Sequence, residues 1–376
     1  MTRLTRSTVV LLTAGLIAAG CTSTADDSTT GSTTASPADH ATSATAADSD
    51  GAAVTVTNCG IPVEFDSHGK LFVNEGNILA TVLSAGGADS IAAVSSVQRD
   101  IPVLQAKYGA ATIDRMPQVS PGHPSLDQIV AQQPDIFVGG WNYGLSKANK
   151  ITPKTLDDRG IATYILTETC RLDPSSPQGI IDPFVSVKQD LVNWGSILGD
   201  STQAEDTIAD IDERLAALDR APKPDTPPVV FVIDSVSETV FTTGNYGAPN
   251  AIIDRAGADN ATGEIEDSWV AVGWEKIAET RPDAFIFVDY PGQSLDEKIA
   301  QLESNPLTRD LPAVQHHRFI NVPYAMMTTG PLAVDGAEYV RHALQQLDLV
   351  PDSSVTPQLS LPESVAGREY LTGVSR

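Results

Sequence analysis

Aromatic and amide side chains that follow predicted buried strands are the groups in this sequence best placed to do chemistry. The clearest run is Trp141, Asn142 and Tyr143, which comes directly after the apolar segment 136–138 and is flanked by glycines. Indole and phenol rings offer broad faces with a polar edge, which suits binding of a bulky ligand. The alternative is that Trp141 packs into the hydrophobic core of the part of the chain that contains it. Other loops contribute residues of similar kind: Asn245, Tyr246, Trp269, Tyr290, Tyr324 and Met326.

Two arginines could add positive charge to the same loops. Arg99 follows the predicted strand 91–95, and Arg171 follows the predicted strand 163–166. Each arginine could contact an anionic ligand or form an ion pair at the surface, and the sequence leaves both interpretations open. Because cations are so few, a small polyanion is a poor match. A larger and less charged ligand, such as a hydroxamate siderophore or a flat apolar ring system, fits better.

Motifs of catalysis and metal binding are absent from the sequence. It contains no G-x-S-x-G, no H-E-x-x-H, no C-x-x-C and no phosphate-binding Walker loop. Ser67 and Lys70 spell S-x-x-K, but they precede a strand instead of opening a helix. His316 and His317 precede the predicted strand 319–322, away from the strand ends at which ligands bind. The sequence therefore predicts a binding protein with no catalytic residues, no metal site and no intrinsic cofactor.

An internal repeat indicates how the candidate residues are held. Segments 125–138 and 273–286 align without a gap, and each contains a short amphipathic helix, a Pro-Asp pair and a buried strand. Proline ends the helix, and the apolar run after it suits an interior parallel strand. Segments 77–89 and 250–259 match in the same order. The pattern predicts an α/β fold with two Rossmann-like lobes, each built on a central parallel sheet.

The segment between the two lobes, 182–220, is predicted to be helical apart from a break near Gly199 and Asp200. Apolar residues at spacings of three and four form one stripe on its second half, which predicts a long strut helix of ~30 Å. Ligands of open α/β sheets bind outside the carboxyl ends of the strands. Two such lobes joined by a strut therefore predict one ligand cleft between them.

The start of the chain has the composition of an export signal and a linker. Residues 1–20 combine two arginines with a short apolar run, and small residues lead up to Cys21. This junction is typical of lipid attachment to Cys21; the alternative is ordinary signal cleavage. Residues 21–52 are almost all Ser, Thr, Ala, Asp and Gly, which predicts a disordered tether. The other predicted divisions are an N-terminal lobe at 53–181, a helical connector at 182–225, a C-terminal lobe at 226–350 and an extension at 351–376.

Charge and cysteine content narrow the class of protein further. A net charge of −24 argues against nucleic acid as a partner, because nothing offsets the repulsion from phosphates. With Cys21 modified, Cys59 and Cys170 remain, and outside the cytoplasm an even pair predicts a disulfide bond more often than two free thiols. The location predicted is the extracytoplasmic face of the cell membrane, with attachment through the N-terminal lipid.

Three of these features together resemble a known family: the lipid-attachment junction with its tether, the paired helix-Pro-Asp-strand units, and the segment 194–199 that leads into the strut. They resemble the class III solute-binding proteins of ABC importers, over about residues 54–350, and most of all the actinobacterial FecB-type lipoproteins. The resemblance implies a monomer that binds a ferric siderophore or haem-like chelate and delivers it to an importer permease.

The resemblance also implies one acidic residue on each lobe that docks onto the permease. Asp100 in the first lobe and Glu266 or Asp267 in the second occupy roughly matching places. Two other functions stay open at this point: an envelope scaffold lipoprotein that binds a ligand without a dedicated permease, and an envelope hydrolase.

Overall fold

The computed structural model describes residues 53–171, 179–290 and 292–371. The predicted export signal, Cys21 and the tether fall in residues 1–52 and lie outside these ranges. Residues Asp50–Arg376 form one compact unit. Within the described ranges no helix is both long enough and apolar enough to cross a membrane.

The strands are β1 (Ala53–Asn58), β2 (Ile61–Asp66), β3 (Leu71–Asn74), β4 (Ile91–Ser95), β5 (Gln118–Ser120), β6 (Ile136–Trp141), β7 (Gly144–Leu145), β8 (Ala162–Ile165), β9 (Val229–Ile233), β10 (Ser235–Val236), β11 (Val240–Thr243), β12 (Asp259–Asn260), β13 (Trp269–Val272), β14 (Ala284–Asp289) and β15 (Phe319–Pro323). The α-helices are α1 (Gly76–Ser84), α2 (Ile101–Tyr108), α3 (Ala110–Asp114), α4 (Leu126–Ala131), α5 (Pro153–Asp157), α6 (Pro183–Ile197), α7 (Thr202–Arg220), α8 (Ala248–Ala256), α9 (Trp274–Thr280), α10 (Leu295–Ser304), α11 (Pro312–Gln315) and α12 (Leu332–Gln346).

Two parallel sheets of like topology form the framework. The first sheet has the order β5-β4-β3-β6, with β8 paired to the other side of β6. The second has the order β12-β9-β14-β15. The order β4-β3-β6-β8 in the first sheet thus recurs as β12-β9-β14-β15 in the second. The predicted α/β class and the two repeated sheets are confirmed.

Local sequence accounts for most of these elements. The runs IAAVS and VVFVI are apolar and mostly buried and form β4 and β9, and β4 has the bounds 91–95 predicted for it. Ser125 and Ser294 close capping boxes with residues three positions on, which begins α4 and α10. The connector is α6 and α7, broken around Gly199 as predicted, and α7 has 19 residues.

One element of the fold was missed by the sequence analysis. Strands β10, β11 and β13 form an antiparallel sheet beside the second parallel sheet. Trp269, predicted to lie in a loop, is the first residue of β13 and pairs with Thr243. These strands are two to four residues long, and the β13 residues are half-buried or exposed. They are therefore at the lower limit of length for a strand, and the apolar run WVAV of β13 is too short to identify one from sequence.

The hairpin of β1 and β2 is joined to the first sheet by a disulfide bond and by the hydrogen bonds of one side-chain amide. Cys59, at the turn between β1 and β2, is bonded to Cys170, the pair that the sequence predicted. Next to it, the Asn58 amide donates to the Ile165 carbonyl at 2.8 Å and its oxygen accepts from the Ile165 N–H at 2.8 Å. The hairpin is thus fixed to the end of β8.

Candidate functional site

Backbone strain collects at the carboxyl edge of the first parallel sheet. Glu75 follows β3, Ser96 follows β4 and Asn142 follows β6, with φ of 79°, 59° and 66°. Residues other than glycine adopt such angles at a free-energy cost, and they concentrate at functional sites. The Ser96 hydroxyl donates to Glu75 Oε1 at 2.9 Å, so two of the three strained residues are bonded to each other. This edge is therefore the first candidate for a site.

Arg99 lies at this edge and its charge is already paired. Its guanidinium forms an ion pair with the carboxylate of Glu75, and its Nε lies 3.6 Å from Asp100 Oδ2. His123 Nδ1 lies 3.3 Å from Glu75 Oε1 on the other side. The ion pair of Arg99 and Glu75 is largely buried. Arg99 therefore lies at the candidate site, as one interpretation predicted, but its ion pair is internal and not at the surface, as the other had it. Glu75 and His123 were not among the site residues predicted from the sequence.

The other face of Arg99 is covered by aromatic rings of the second lobe. Its guanidinium carbon lies 4.0 Å from the ring centroid of Tyr324 and 5.3 Å from that of Tyr290. The two rings are 5.6 Å apart. Tyr290 follows β14 and Tyr324 follows β15, so the carboxyl ends of the two parallel sheets meet here. We call the surface formed by Glu75, Arg99, Tyr143, Trp269, Tyr290 and Tyr324 the cleft.

A second aromatic contact joins the lobes along the cleft. The side chain of Trp269 lies beside the hydroxyl of Tyr143, whose pKa burial raises above its usual range. On its outer side Trp269 stacks on Phe241, with centroids 5.9 Å apart and planes 20° apart. Phe241 and Tyr290 are each 37% exposed. The cleft therefore presents ring faces from its interior to its rim.

Asp100 is buried under the cleft, which contradicts the surface role predicted for it. It is 0% exposed, and its Oδ1 accepts a hydrogen bond from the Ala325 N–H at 3.0 Å. A Cβ on Gly76 would lie 2.2 Å from Asp100 Oδ2, so the carboxylate fits only because residue 76 is glycine. A group with no exposed surface cannot touch a permease. In this structure Asp100 joins the two lobes instead.

The remaining predicted site residues are divided between the cleft and other surroundings. Trp141 is half-buried among apolar residues of the first lobe, as the alternative prediction had it, and its backbone N–H donates to Thr169 Oγ1 at 3.1 Å. Met326 is 0% exposed and packs in the main core, so the prediction that it lines the cleft is wrong. Gly336 on α12 allows this, because a Cβ there would lie 2.2 Å from the Met326 carbonyl oxygen.

Three predicted residues lie on exposed or half-buried loops. Asn142 and Arg171 are exposed, while Tyr246 is half-buried and its N–H donates to the Asp267 carbonyl at 3.1 Å. The side-chain oxygen of Asn245 is buried and has no hydrogen-bond partner among the described residues. Glu266 and Asp267 are exposed. Among the described residues there is no group of three or more His, Cys, Asp or Glu side chains arranged to hold a metal ion.

Buried carboxyl groups near the cleft titrate close to neutral pH. Burial raises the pKa of Asp100 and of Asp190 from 3.8 to about 7, and that of Glu168 from 4.5 to about 7. Glu168 lies against the second lobe: its Oε1 would be 3.1 Å from a Cβ on Gly247. Asp190 accepts hydrogen bonds from the Tyr164 hydroxyl at 2.7 Å and the Thr167 hydroxyl at 2.5 Å.

These shifts predict that the protein is more stable in mild acid than above neutrality. A carboxyl group whose pKa is higher in the folded state binds protons, between about pH 4 and pH 7, that the unfolded chain does not bind. The free energy of unfolding therefore rises as pH falls through that window. We expect a Tm several degrees higher at pH 5.5 than at pH 8, measured by calorimetry in high salt to screen the net charge. Asp190→Asn should flatten the dependence, and a Tm that falls on acidification would contradict the assignment.

The class of protein follows from this arrangement. Two parallel sheets of the same topology, with their carboxyl ends meeting at a cleft of aromatic rings, form the framework of a two-lobed binding protein. The family model described as "Periplasmic binding protein" matches residues 75–325, and the chain belongs to that family. No curated protein matches significantly.

Solved structures with the same fold come from several bacteria. A periplasmic binding protein from Veillonella parvula is 24% identical with a TM-score of 0.63, covering 78% of this chain and 98% of its own. A protein of an ABC-type Fe3+-hydroxamate transport system from Saccharomonospora viridis is 20% identical with a TM-score of 0.61, covering 76% and 97%. A periplasmic haem-binding protein from Pseudomonas aeruginosa is 19% identical with a TM-score of 0.58, covering 76% and 98%.

Proposed function

We propose that this protein is a lipid-anchored solute-binding protein on the extracytoplasmic face of the cell membrane. It binds a ferric siderophore or a haem-like iron chelate and presents it to the permease of an ABC importer. The observation that carries this proposal is the cleft, where Arg99 of one lobe lies against the rings of Tyr290 and Tyr324 of the other. A ligand held there touches both lobes at once, and it can therefore couple binding to their closure.

The chemistry of the cleft favours a bulky ligand with apolar faces. Tyr143, Trp269, Tyr290 and Tyr324 supply ring surface, and the charge of Arg99 is balanced by Glu75. The names of the structures from Saccharomonospora viridis and Pseudomonas aeruginosa, which refer to an Fe3+-hydroxamate and to haem, agree with ligands of this kind. Membership of the actinobacterial FecB-type group is part of the proposal.

The proposed partners are the membrane, reached through the lipid on Cys21, and the permease. Glu266 and Asp267 are exposed on the loop before β13, next to the cleft, and are the docking acids that we propose for the second lobe. The protein acts as a monomer, with no resident cofactor and no nucleic acid. A scaffold lipoprotein without a permease would share the cleft but would not need these exposed acids.

Binding is tested by thermal shift and tryptophan emission of the purified protein. We expect ferric hydroxamates or haem to raise the Tm, because a ligand that binds only the folded state stabilises it by mass action. The emission of Trp269 should be quenched on binding, since this residue lies in the cleft. The absence of a shift with hydroxamate, catecholate and citrate chelates, haem and cobalamin would refute the transport function.

Two variants of Tyr324 separate ring contact from hydroxyl contact. Tyr324→Ala removes a ring face from the cleft and should weaken binding by about tenfold or more, a typical loss for an aromatic contact at the centre of a site. Tyr324→Phe keeps the face and should stay within about threefold. Equal losses in both variants would instead assign the contact to the hydroxyl. The Tm of each unliganded variant serves as the folding control.

A further inference from the structure

Acidic groups outnumber cations where the two sheets meet. Glu75, Glu168 and Asp234 are buried, and Asp289 at the end of β14 is half-buried. The cations near these acids are Lys298, which is buried, and Arg99, which is half-buried. Buried carboxylates are costly unless a cation or several hydrogen bonds compensate them. The imbalance therefore favours a ligand that brings positive charge.

Both cations are already engaged with groups of the protein. Arg99 is paired with Glu75, as described above. The Lys298 ammonium donates to the Val288 carbonyl at 2.6 Å and is shared electrostatically between Asp234 and Asp289. Burial raises the pKa of Asp234 and Asp289 even with Lys298 present. Lys298 therefore faces two carboxylates, of which Asp234 is also attracted by Arg99.

A cavity of about 350 Å³ opens at this part of the second lobe. Tyr290 lines this cavity, and its ring also lies 5.3 Å from the guanidinium carbon of Arg99. Asp234, at the carboxyl end of β9, is another lining residue and is 9% exposed. Ser235, Val236, Ser237, Gly292, Gln293 and Glu297 complete the lining. The cavity is therefore an extension of the cleft beyond Tyr290.

Most polar groups of this cavity are used by the fold. The Gln293 amide accepts from the Val236 N–H at 2.8 Å and donates to the Val236 carbonyl at 3.1 Å. The carboxylate of Glu297 accepts from the backbone and the hydroxyl of Ser294, which closes the first turn of α10. Among the described residues no capping or turn hydrogen bond uses the Asp234 carboxylate, which lies beside Ser235 and is attracted by Lys298 and Arg99. It is the acid in this cavity that is available to a ligand.

We propose that this cavity binds the ammonium group of a positively charged ligand, with Asp234 as the counter-charge and the face of Tyr290 beside it. The inference rests on the proposed function and narrows the cargo from iron chelates in general to cationic ones. A carboxylate supplies a charge-assisted hydrogen bond to an ammonium group, and a tyrosine face adds cation–π attraction. The net charge of −24 also attracts a cationic ligand from solution.

The test compares two chelates that differ by one charge. One is a linear ferric trihydroxamate with a free terminal primary ammonium, and the other is the same chelate with that amine acetylated. We expect the ammonium form to bind roughly tenfold tighter or more, as measured by calorimetry at low salt, because its hydrogen bond to Asp234 is charge-assisted. Raising the salt concentration should reduce the ratio between the two affinities.

Two variants test whether the ratio of the two chelate affinities depends on the cavity. Asp234→Asn should bring the ratio close to one. Asp296→Asn removes the same charge from the exposed side of α10, outside the cavity lining, and should preserve the ratio. Equal affinities of the natural protein for the two chelates would overturn the inference while leaving hydroxamate binding intact. If neither chelate binds, hydroxamate transport and the inference are both refuted.

Discussion

Loss of the Cys59–Cys170 disulfide is expected to lower the free energy of unfolding by about 4–5 kcal/mol. The bond closes a loop with a sequence separation of 111, and restricting the unfolded chain over that length has an entropic effect of this size. The hairpin depends on it further, because β1 and β2 pair only with each other in the described structure. We expect a clearly lower midpoint in urea for the reduced protein than for the oxidised protein.

The position of Cys59 requires a matched pair of variants. Asn58 and Ile61 are paired, so Cys59 and Gly60 form a two-residue turn, and both have positive φ, at 49° and 77°. Asparagine tolerates this conformation better than serine does. In the Cys170→Ser background, Cys59→Asn therefore removes the disulfide and keeps the turn, whereas Cys59→Ser also weakens the turn. If both lose stability by less than about 1 kcal/mol, the disulfide does not stabilise the fold as we expect.

Replacing Arg214 is expected to cost about 3–5 kcal/mol, because it leaves the buried carboxylate of Glu338 without a cation and that of Asp335 with Lys107 alone. Arg214 lies on α7 and is 3% exposed; it bonds Asp335 at 2.6 Å and Glu338 at 2.8 Å on α12. Lys107 on α2 lies 3.0 Å from Asp335. The Gln358 N–H donates to Glu338 at 3.1 Å. One ionic network thus joins the first lobe, the connector, the second lobe and the C-terminal extension.

The prediction for Arg214 is tested by measuring the free energy of unfolding of Arg214→Met in denaturant. Methionine keeps most of the side-chain volume. Asp210→Asn is the control: Asp210 also pairs with Arg214, at 3.2 Å, but it is 49% exposed, and its loss should cost less than about 1 kcal/mol. Neutralising both acids with Asp335→Asn and Glu338→Gln should recover part of the loss in Arg214→Met. A loss no larger than that of Asp210→Asn would show that the network does not stabilise the molecule.

Most of the framework could be predicted from local sequence, and the reason is visible in particular segments. Strand β9 is a run of five apolar residues after a proline pair, and α12 is an amphipathic helix, so each carries its own signal. The sheet of β10, β11 and β13 carries a weaker signal, because its strands have only two to four residues and β11 pairs with β13 across about thirty residues. The misplacement of Trp269 followed from that.

The site could be predicted only in outline. Arg99, Tyr143, Tyr290 and Tyr324 lie on loops after strands, and the structure brings them to one edge because parallel strands end there; their role in binding stays a prediction. Glu75 and Asp234 also follow buried strands directly, and that signal could have identified both. Met326 and Asp100 were misplaced because burial of a loop residue depends on which other segment covers it.

The sequence by itself determined most of the segments that form strands and helices, that two like sheets follow one another, and that Cys59 and Cys170 are candidates to pair. Those properties depend on residues close together in the sequence or on an even number of cysteines, so they can be predicted from the sequence. Only the tertiary structure decided that Arg99 pairs with Glu75, 24 residues away, and that Asp100 is covered by Ala325, 225 residues away. Electrostatics and burial depend on distances in space, and the charge left in the cleft is therefore a property of the folded molecule.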